Sequence, residues 1–453
     1  MSEVIAVFDI GKTNKKLLLF NSNFQVVFQK EEKFACVEDE DGFECDDVKL
    51  IATWFTRSIA EILSNKDFCL KAINFSTYGA SLMFLDENGK PLTPLYNYLK
   101  EISPSISESL FEVYGGKNEF CRRTASPSLG LLLNSGIQVL WLQQEKPEIF
   151  NQVKAVLHFP QYLSFLLTNK IFSEPTSIGC HTFMWDFDHM KYHQWIKDNN
   201  INLPEPVNND HVFPVSMFKS EFKVGTGIHD SSASLVPYLK ASSEKFILVS
   251  TGTWCINMNP FNTEPLTAEE LAQDCLCYLT PHKEQVKSSR LFMGHFHEAW
   301  VEKLANHFHF PFDSYKTVKK NKHLIESLIA EFNGKSEFFL SGKEGFKQEL
   351  ETVDLDIFKS YEEAYTKLMI DLTDLCADSI KLVISENDET EILFISGGFA
   401  RNEIFIYLIK THFPDKTVQV SEIDNSSALG AALIIADVFT ANDLSSLDLG
   451  IKE

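Results

Sequence analysis

A duplicated α/β fold is what this chain predicts, on three observations. Near the start, the apolar run Val4-Ile5-Ala6-Val7-Phe8 meets the polar turn Gly11-Lys12-Thr13-Asn14, and Leu17-Leu18-Leu19-Phe20 resumes the apolar pattern. The same strand–turn–strand opening recurs midway, as Phe246-Ile247-Leu248-Val249, Ser250-Thr251-Gly252-Thr253 and Trp254-Cys255-Ile256-Asn257-Met258. After each opening, strand-like and helical periods alternate, as layered α/β domains require. A length of 453 residues suits two or three such domains.

The remaining elements follow from local pattern. A third strand, Gln25-Val26-Val27-Phe28, comes after the turn residues Asn21-Ser22-Asn23. Asp47 to Leu63 reads as a helix, because Leu50, Ile51, Trp54, Phe55, Ile59 and Ile62 recur at threes and fours. Ala72-Ile73-Asn74-Phe75 returns to strand, and Asp86-Glu87-Asn88-Gly89 is a tight turn. Between Ser232 and Glu244, Pro237 and Ala241-Ser242-Ser243 interrupt the pattern, which predicts domains at 1–240 and 241–453. Beyond the second opening lies a long amphipathic helix with the seam Tyr361, Tyr365, Leu368, Leu372 and Leu375. The charge run 386–391 reads as a solvated loop. A strand at 391–395, the turn Ser396-Gly397-Gly398, a helix to about His412, a strand at 417–420 and a helix over 427–439 complete the chain.

Composition narrows the class. The formal charge is 41 − 63 = −22, which argues against a nucleic-acid binder or a protein held on anionic lipid, since both need a positive field. The opening Met1-Ser2-Glu3-Val4-Ile5 lacks the basic and apolar stretches of a secretory signal, and apolar runs such as Ala431 to Ala436 fall far short of a membrane span. Nine scattered Cys fit reduced thiols. Cys275-Leu276-Cys277 has no second Cys/His pair at zinc spacing. The expected class is a soluble cytoplasmic globular protein.

Five segments carry possible chemistry. In Asp9-Ile10-Gly11-Lys12-Thr13-Asn14-Lys15, a glycine turn lets backbone N–H groups approach phosphate, and Thr13, Asn14 and the lysines add donors and charge. Asp9, at the strand end, could hold Mg²⁺ through water. This is no P-loop, since a strand follows rather than a helix. Thr251-Gly252-Thr253 is the matching turn of the other half, and two such hairpins could enclose a nucleoside triphosphate. In Gly225-Thr226-Gly227-Ile228-His229-Asp230-Ser231, Asp230 is placed as a general base for a hydroxyl. His229 is the alternative base or a hydrogen-bond partner, and an Asp here equally suits the N-cap of a helix starting at Ser231. Gly397-Gly398, before Asn402, lets a base or ribose approach the backbone. Ala428-Leu429-Gly430-Ala431 is a small-residue face suited to close helix packing.

Taken in order, these segments resemble the FGGY carbohydrate kinases, a branch of the actin-like, sugar-kinase and heat-shock ATPase fold. The family pattern of Asp-x-Gly-x-Thr, Gly-x-x-Asp, Gly-Thr, Gly-Gly and Ala-Leu-Gly-Ala is met at Asp9 to Thr13, Gly227 to Asp230, Gly252-Thr253, Gly397-Gly398 and Ala428 to Ala431. The resemblance implies two ribonuclease-H-like lobes around a cleft, ATP and Mg²⁺ as cofactors, and phosphoryl transfer to a sugar hydroxyl. It implies Asp230 as the base, and Gly11, Lys12, Thr13, Asn14, Thr251, Gly252 and Thr253 around the phosphates. It places Asp9 by the metal, and Gly397, Gly398 and Asn402 by the adenosine. Gly79, in Ser76-Thr77-Tyr78-Gly79-Ala80, would line the sugar pocket with His229 and Asp230. The His-Asp pair is similar to that of the rhamnulose and fuculose kinases, so a ketose such as L-rhamnulose or L-fuculose is the implied acceptor. Family members often dimerise.

Departures keep other readings open. Phe399 replaces a third glycine, Gln161 stands where relatives often carry Asp, and the stretch Arg290 to His295 lacks the rhamnulose kinases' Asn and Gln. A non-sugar ATPase or nucleotide switch of the same superfold, or a degenerate sugar-binding pseudokinase, is the alternative.

Overall fold

The computed structural model describes residues 1–339, 353–439, 444 and 447–452. Two seven-stranded mixed sheets organise them. The first runs Val212–Met217, Ser220–Gly225, Phe68–Thr77, Ser2–Ile10, Lys15–Phe20, Val26–Glu32, with Ile228–His229 pairing beside Phe68–Thr77. The second runs Cys275–Leu279, Gln285–Leu291, Cys255–Asn259, Phe246–Thr251, Ile392–Gly397, Thr417–Ser421, Ile451–Lys452. In both, the opening strand pairs antiparallel with its hairpin mate and parallel with a later strand, so the repeated opening builds the same local topology twice.

The parallel pairs bring polar strand ends together. Asp9 lies opposite Ser76 and Ile10 opposite Thr77 in the first sheet, and Thr251 lies opposite Gly397 in the second. In open α/β sheets, ligands bind beyond these carboxyl ends.

The Val48–Ser64 helix starts where Asp47 Oδ1 accepts the Leu50 N–H at 3.0 Å, and buries Ile51, Trp54, Phe55, Ile59 and Ile62. Trp54 and Phe55 pack on Phe8 of the opening strand with centroids at 5.3 and 5.8 Å. The Tyr361–Lys381 helix carries its expected seam inward, except that Leu375 is only partly covered.

Four features depart from the sequence pattern. Pro237 does not break the chain: it lies inside one helix, Asp230–Ala241. Asp230 is that helix's first residue rather than its cap, a position that His229 takes. Thr251 and Gly397 belong to strands instead of turns. The last helix stops at Leu433, before a 3₁₀ turn at Ala436–Val438.

The halves share a core. Ala428, Ala431 and Ala432 of the Ser426–Leu433 helix pack with Ile5, Val7, Ala72, Ala233 and Val236. Asn74 Nδ2 donates to the Ala431 carbonyl at 2.7 Å, fixing the late helix on the early sheet. The N-termini of the Asp230–Ala241 and Ser426–Leu433 helices consequently meet the carboxyl end of the first strand.

Candidate active site

The first hairpin closes with Gly11 N–H donating to the Asn14 carbonyl at 3.0 Å. Thr13 is exposed at its tip and Gly11, Lys12 and Asn14 are half-buried. Asp46 takes both lysines: Lys15 Nζ at 2.7 Å, Lys12 Nζ at 3.0 Å, with the Tyr78 hydroxyl also donating at 2.7 Å. Burial pushes the Asp46 carboxyl up, but these donors outweigh it and hold it below the ordinary range. Lys12 Nζ also sits over the Tyr78 and Tyr98 rings, at 5.3 and 5.8 Å.

Beyond Tyr78 comes the floor of the cleft. A Cβ added to Gly79 would lie 3.0 Å from the His229 ring and 3.2 Å from Cys180 Sγ, so glycine lets these groups close up. His229 Nε2 lies 3.2 Å from Asp230 Oδ1 and 3.4 Å from Cys180 Sγ. Burial pushes His229 down to about 4, so the ring is neutral at pH 7. Asp230 accepts the Ser231 N–H at 2.6 Å and keeps 38% of its side chain open. Burial pushes its carboxyl up to about 6.

Asp9 is also raised to about 6, by burial and then by the charge of Asp230, while Ser76, Ser427 and Lys16 oppose the shift. Ser427 Oγ donates to its two oxygens, at 3.2 Å each. A buried carboxylate raised by a neighbouring one, as Asp9 is by Asp230, is a place where a cation would relieve the charge. Among the described residues no cluster of three or more His, Cys, Asp or Glu could cage one. Asp9 would suit Mg²⁺ as a single carboxylate contact, since that ion commonly takes one or two carboxylates and keeps water and phosphate oxygens for the rest.

A buried network that no motif announced supports this floor. Glu174, fully buried, caps the short Pro175–Ile178 helix by accepting the N–H groups of Thr176 and Ser177, each at 2.7 Å. It also accepts Thr176 Oγ1 at 2.6 Å, Asn209 Nδ2 at 2.8 Å and Gln161 Nε2 at 3.1 Å. Thr176 Oγ1 in turn accepts the His229 N–H, and Asn209 Nδ2 donates to the Gly227 carbonyl. Gln161 thus helps hold the Gly227–Asp230 stretch from beneath. Glu174→Gln would set an amide N–H₂ against donors; we expect a stability loss of about 1–3 kcal/mol in denaturant titration and a lower kcat.

On the other lobe, Gly252, Gly398, Phe399 and Asn402 line a cavity of about 430 Å³ with Tyr315 and His297. A smaller one, about 240 Å³, adjoins at Gly252 and Thr253. Thr251 Oγ1 donates to the Ser396 carbonyl at 2.5 Å and accepts the Phe399 N–H at 3.1 Å. Gly397 has φ +86°, and a Cβ there would lie 1.7 Å from the Thr251 carbonyl oxygen, so this strand crossing admits only glycine. Phe399 turns its side chain inward, and Asn402 caps the Glu403–His412 helix while lining the cavity. The structure thus groups Gly79, His229, Asp230 and Asp9 on one side, and Gly252, Gly398 and Asn402 on the other with Thr251, Thr253 and Gly397 beside them. Gly11, Lys12, Thr13 and Asn14 line neither cavity. Among the described residues, no helix is long and apolar enough to cross a membrane.

Comparison with known proteins meets this geometry. A rhamnulokinase of Mannheimia succiniciproducens is 24% identical over 278 residues, 58% of this chain and 55% of that protein. A xylulose kinase of Staphylococcus epidermidis is 24% identical over 259 residues, 56% of this chain and 47% of that protein. The match therefore spans about half the length of these curated relatives. A carbohydrate kinase from Novosphingobium aromaticivorans superposes with a TM-score of 0.80 at 21% identity, covering 96% of this chain and 91% of that one. A ligand-bound xylulose kinase from Lactobacillus acidophilus gives 0.77 at 18%, covering 99% and 92%. These likenesses establish the two-lobed sugar-kinase fold. Residues 4–226 match the profile of the FGGY family of carbohydrate kinases, N-terminal domain, and residues 243–443 that of the carbohydrate kinase FGGY, C-terminal domain. With both profiles met in order, the chain belongs to the FGGY family of carbohydrate kinases.

Proposed function

We propose that this protein transfers the γ-phosphoryl group of ATP to a hydroxyl of a small sugar, with a ketose such as L-rhamnulose or L-fuculose as acceptor. The observation that carries the reading is Asp230: a carboxylate raised to about 6 with 38% of its side chain open, beside His229, which packs closely over Gly79. Such a group is ionised at neutral pH yet basic enough to take a hydroxyl proton. His229 orients it from Nε2, and Glu174 with Asn209 fixes the strand that presents both. The cavity at Gly398 and Asn402 would seat the adenosine, with Gly252-Thr253 and the Gly11-Lys12-Thr13-Asn14 turn toward the phosphates. Lys12 would act there as half of an Asp46 pair, its charge partly offset. Mg²⁺, held at Asp9, would supply charge neutralisation on the transferred group. A ketose is supported by the His229-Asp230 pair and by rhamnulokinase and xylulose kinases among the relatives.

A coupled ADP-release assay over a panel of ketoses and polyols tests the reading. Stimulation by a ketose is expected; hydrolysis unaffected by every sugar would replace the reading with that of a nucleotide switch. The pH profile gives a second check. The base works as carboxylate, so kcat/KM should fall as pH drops through about 6. Asp9 titrates in the same range, so the acid limb should approach a slope of two. An acid limb near pH 4 would remove Asp230 from the chemistry.

A further inference from the structure

Between the cavity at Gly398 and the turn at Gly252 stands His297, which no motif singled out. Its ring lines both the larger and the smaller cavity. Tyr315, Tyr365 and Phe399 meet it edge-on, with centroids at 4.9, 5.8 and 5.1 Å.

A chain of hydrogen bonds that begins at a helix cap decides which nitrogen carries the proton. Asn402 Oδ1 accepts the N–H groups of Ile404 and Phe405, at 3.0 and 3.1 Å, so the amide cannot be turned round. Its Nδ2 must donate, and does so to the Tyr365 oxygen at 2.9 Å. Tyr365 is fully buried, and among the described residues the one acceptor within reach of its single phenolic proton is His297 Nε2, 3.2 Å away; a protonated Nε2 would leave that proton without a partner. An accepting nitrogen is unprotonated. Burial holds the imidazole neutral, its pKa pushed down to about 4, so the single ring proton sits on Nδ1. Among the described residues Nδ1 has no protein partner, and the His297 side chain is only half-buried. The ring's open side is the cavity it lines.

We propose that His297 Nδ1–H donates a hydrogen bond to the bound nucleotide where ribose joins the phosphates, and that Tyr365 and Asn402 are positioning residues that hold this tautomer. The inference rests on the reading of these cavities as an ATP site. An oxygen acceptor is required, which a ribose or an α-phosphate supplies.

Calorimetric titration of ATP, ADP and adenosine into the intact protein tests it, using His297→Phe and Tyr365→Phe, which keep the ring packing. His297→Phe should weaken ATP binding about tenfold, the worth of one well-placed hydrogen bond. A loss shared by adenosine puts the acceptor on the ribose; a loss confined to ADP and ATP puts it on the α-phosphate. Unchanged ATP affinity in a folded His297→Phe overturns the inference and leaves the ATP site standing. No ATP binding by the unaltered protein overturns both. Nitrogen NMR of ¹⁵N-histidine-labelled protein supplies a readout that packing alone would not move. The His297 ring should report Nδ1–H, and Tyr365→Phe should admit the Nε2–H form. An Nε2–H ring in the unaltered protein overturns the inference whatever the affinities show.

Discussion

Asp230→Asn is expected to abolish sugar-dependent ADP release while ATP binding persists. The amide keeps the shape of the carboxylate and can still accept the Ser231 N–H, so the helix start is preserved. It cannot take a proton, and a positioned base contributes about 10²- to 10⁴-fold to such a reaction. The cavity proposed for the nucleotide lies among residues of the other lobe, so the loss should appear in kcat and leave the ATP affinity near its original value. Stability should move the opposite way. A carboxyl raised from 3.8 to about 6 binds protons in the folded chain that the unfolded chain releases between those values. Folded stability therefore falls as pH rises through that window, and at pH 7 the charge is a cost. With 38% of the side chain exposed, solvent screens much of it, and the variant should gain under about 1 kcal/mol. Relief of Asp9, which feels the Asp230 charge, adds to the same sign. A variant that turned over sugar near normally would move the base assignment to His229.

How much of this was legible varies with the kind of signal. Runs such as Val4 to Phe8 and Phe246 to Val249 are buried on both faces, so apolar continuity alone located the strands. The strand-end turns were legible because glycine marks backbone that must approach something closely, as Gly397 approaches Thr251. Tertiary partners were not. Lys12 and Lys15 read as cations for phosphate, yet Asp46 holds both, and nothing in Cys45-Asp46-Asp47 tells which aspartate caps a helix and which turns inward. Glu174, Asn209 and Thr226 come together only through the fold, as do His297, Tyr365 and Asn402. Glu174-Pro175 did carry one local clue, an acidic cap followed by proline at the first helical position.

Pro237 shows a signal that was visible and means more than a boundary, and it sets up the second large effect. Gly430→Ala should destabilise the protein although alanine favours a helix by about 1 kcal/mol over glycine. A Cβ at residue 430 would stand 1.8 Å from the Ala233 carbonyl oxygen and 2.6 Å from its carbon. That carbonyl is the one whose helical donor, the N–H of residue 237, proline removes. The Asp230–Ala241 helix thus turns a carbonyl that lacks its usual i+4 donor toward the bare Cα of Gly430, a contact that a backbone C–H···O interaction supports. A backbone oxygen cannot rotate aside as a side chain can, so the helices must separate. Overpacking of this kind costs about 1–3 kcal/mol, and we expect a net loss at the upper end. Across a 453-residue chain whose halves share a core, thermal unfolding should show it as about 1 °C for each kcal/mol lost. The same displacement would draw Ser427 off Asp9, removing a hydrogen bond that lowers its pKa, so the acid limb of the rate profile should move upward. Restoring the missing donor tests the pairing. In Gly430→Ala with Pro237→Ala, the carbonyl can bond within its own helix, and the double variant should be less destabilised than the sum of the two single effects. Strict additivity, or a Gly430→Ala variant that melts no lower than the parent, would mean that the two helices are not held together at this crossing.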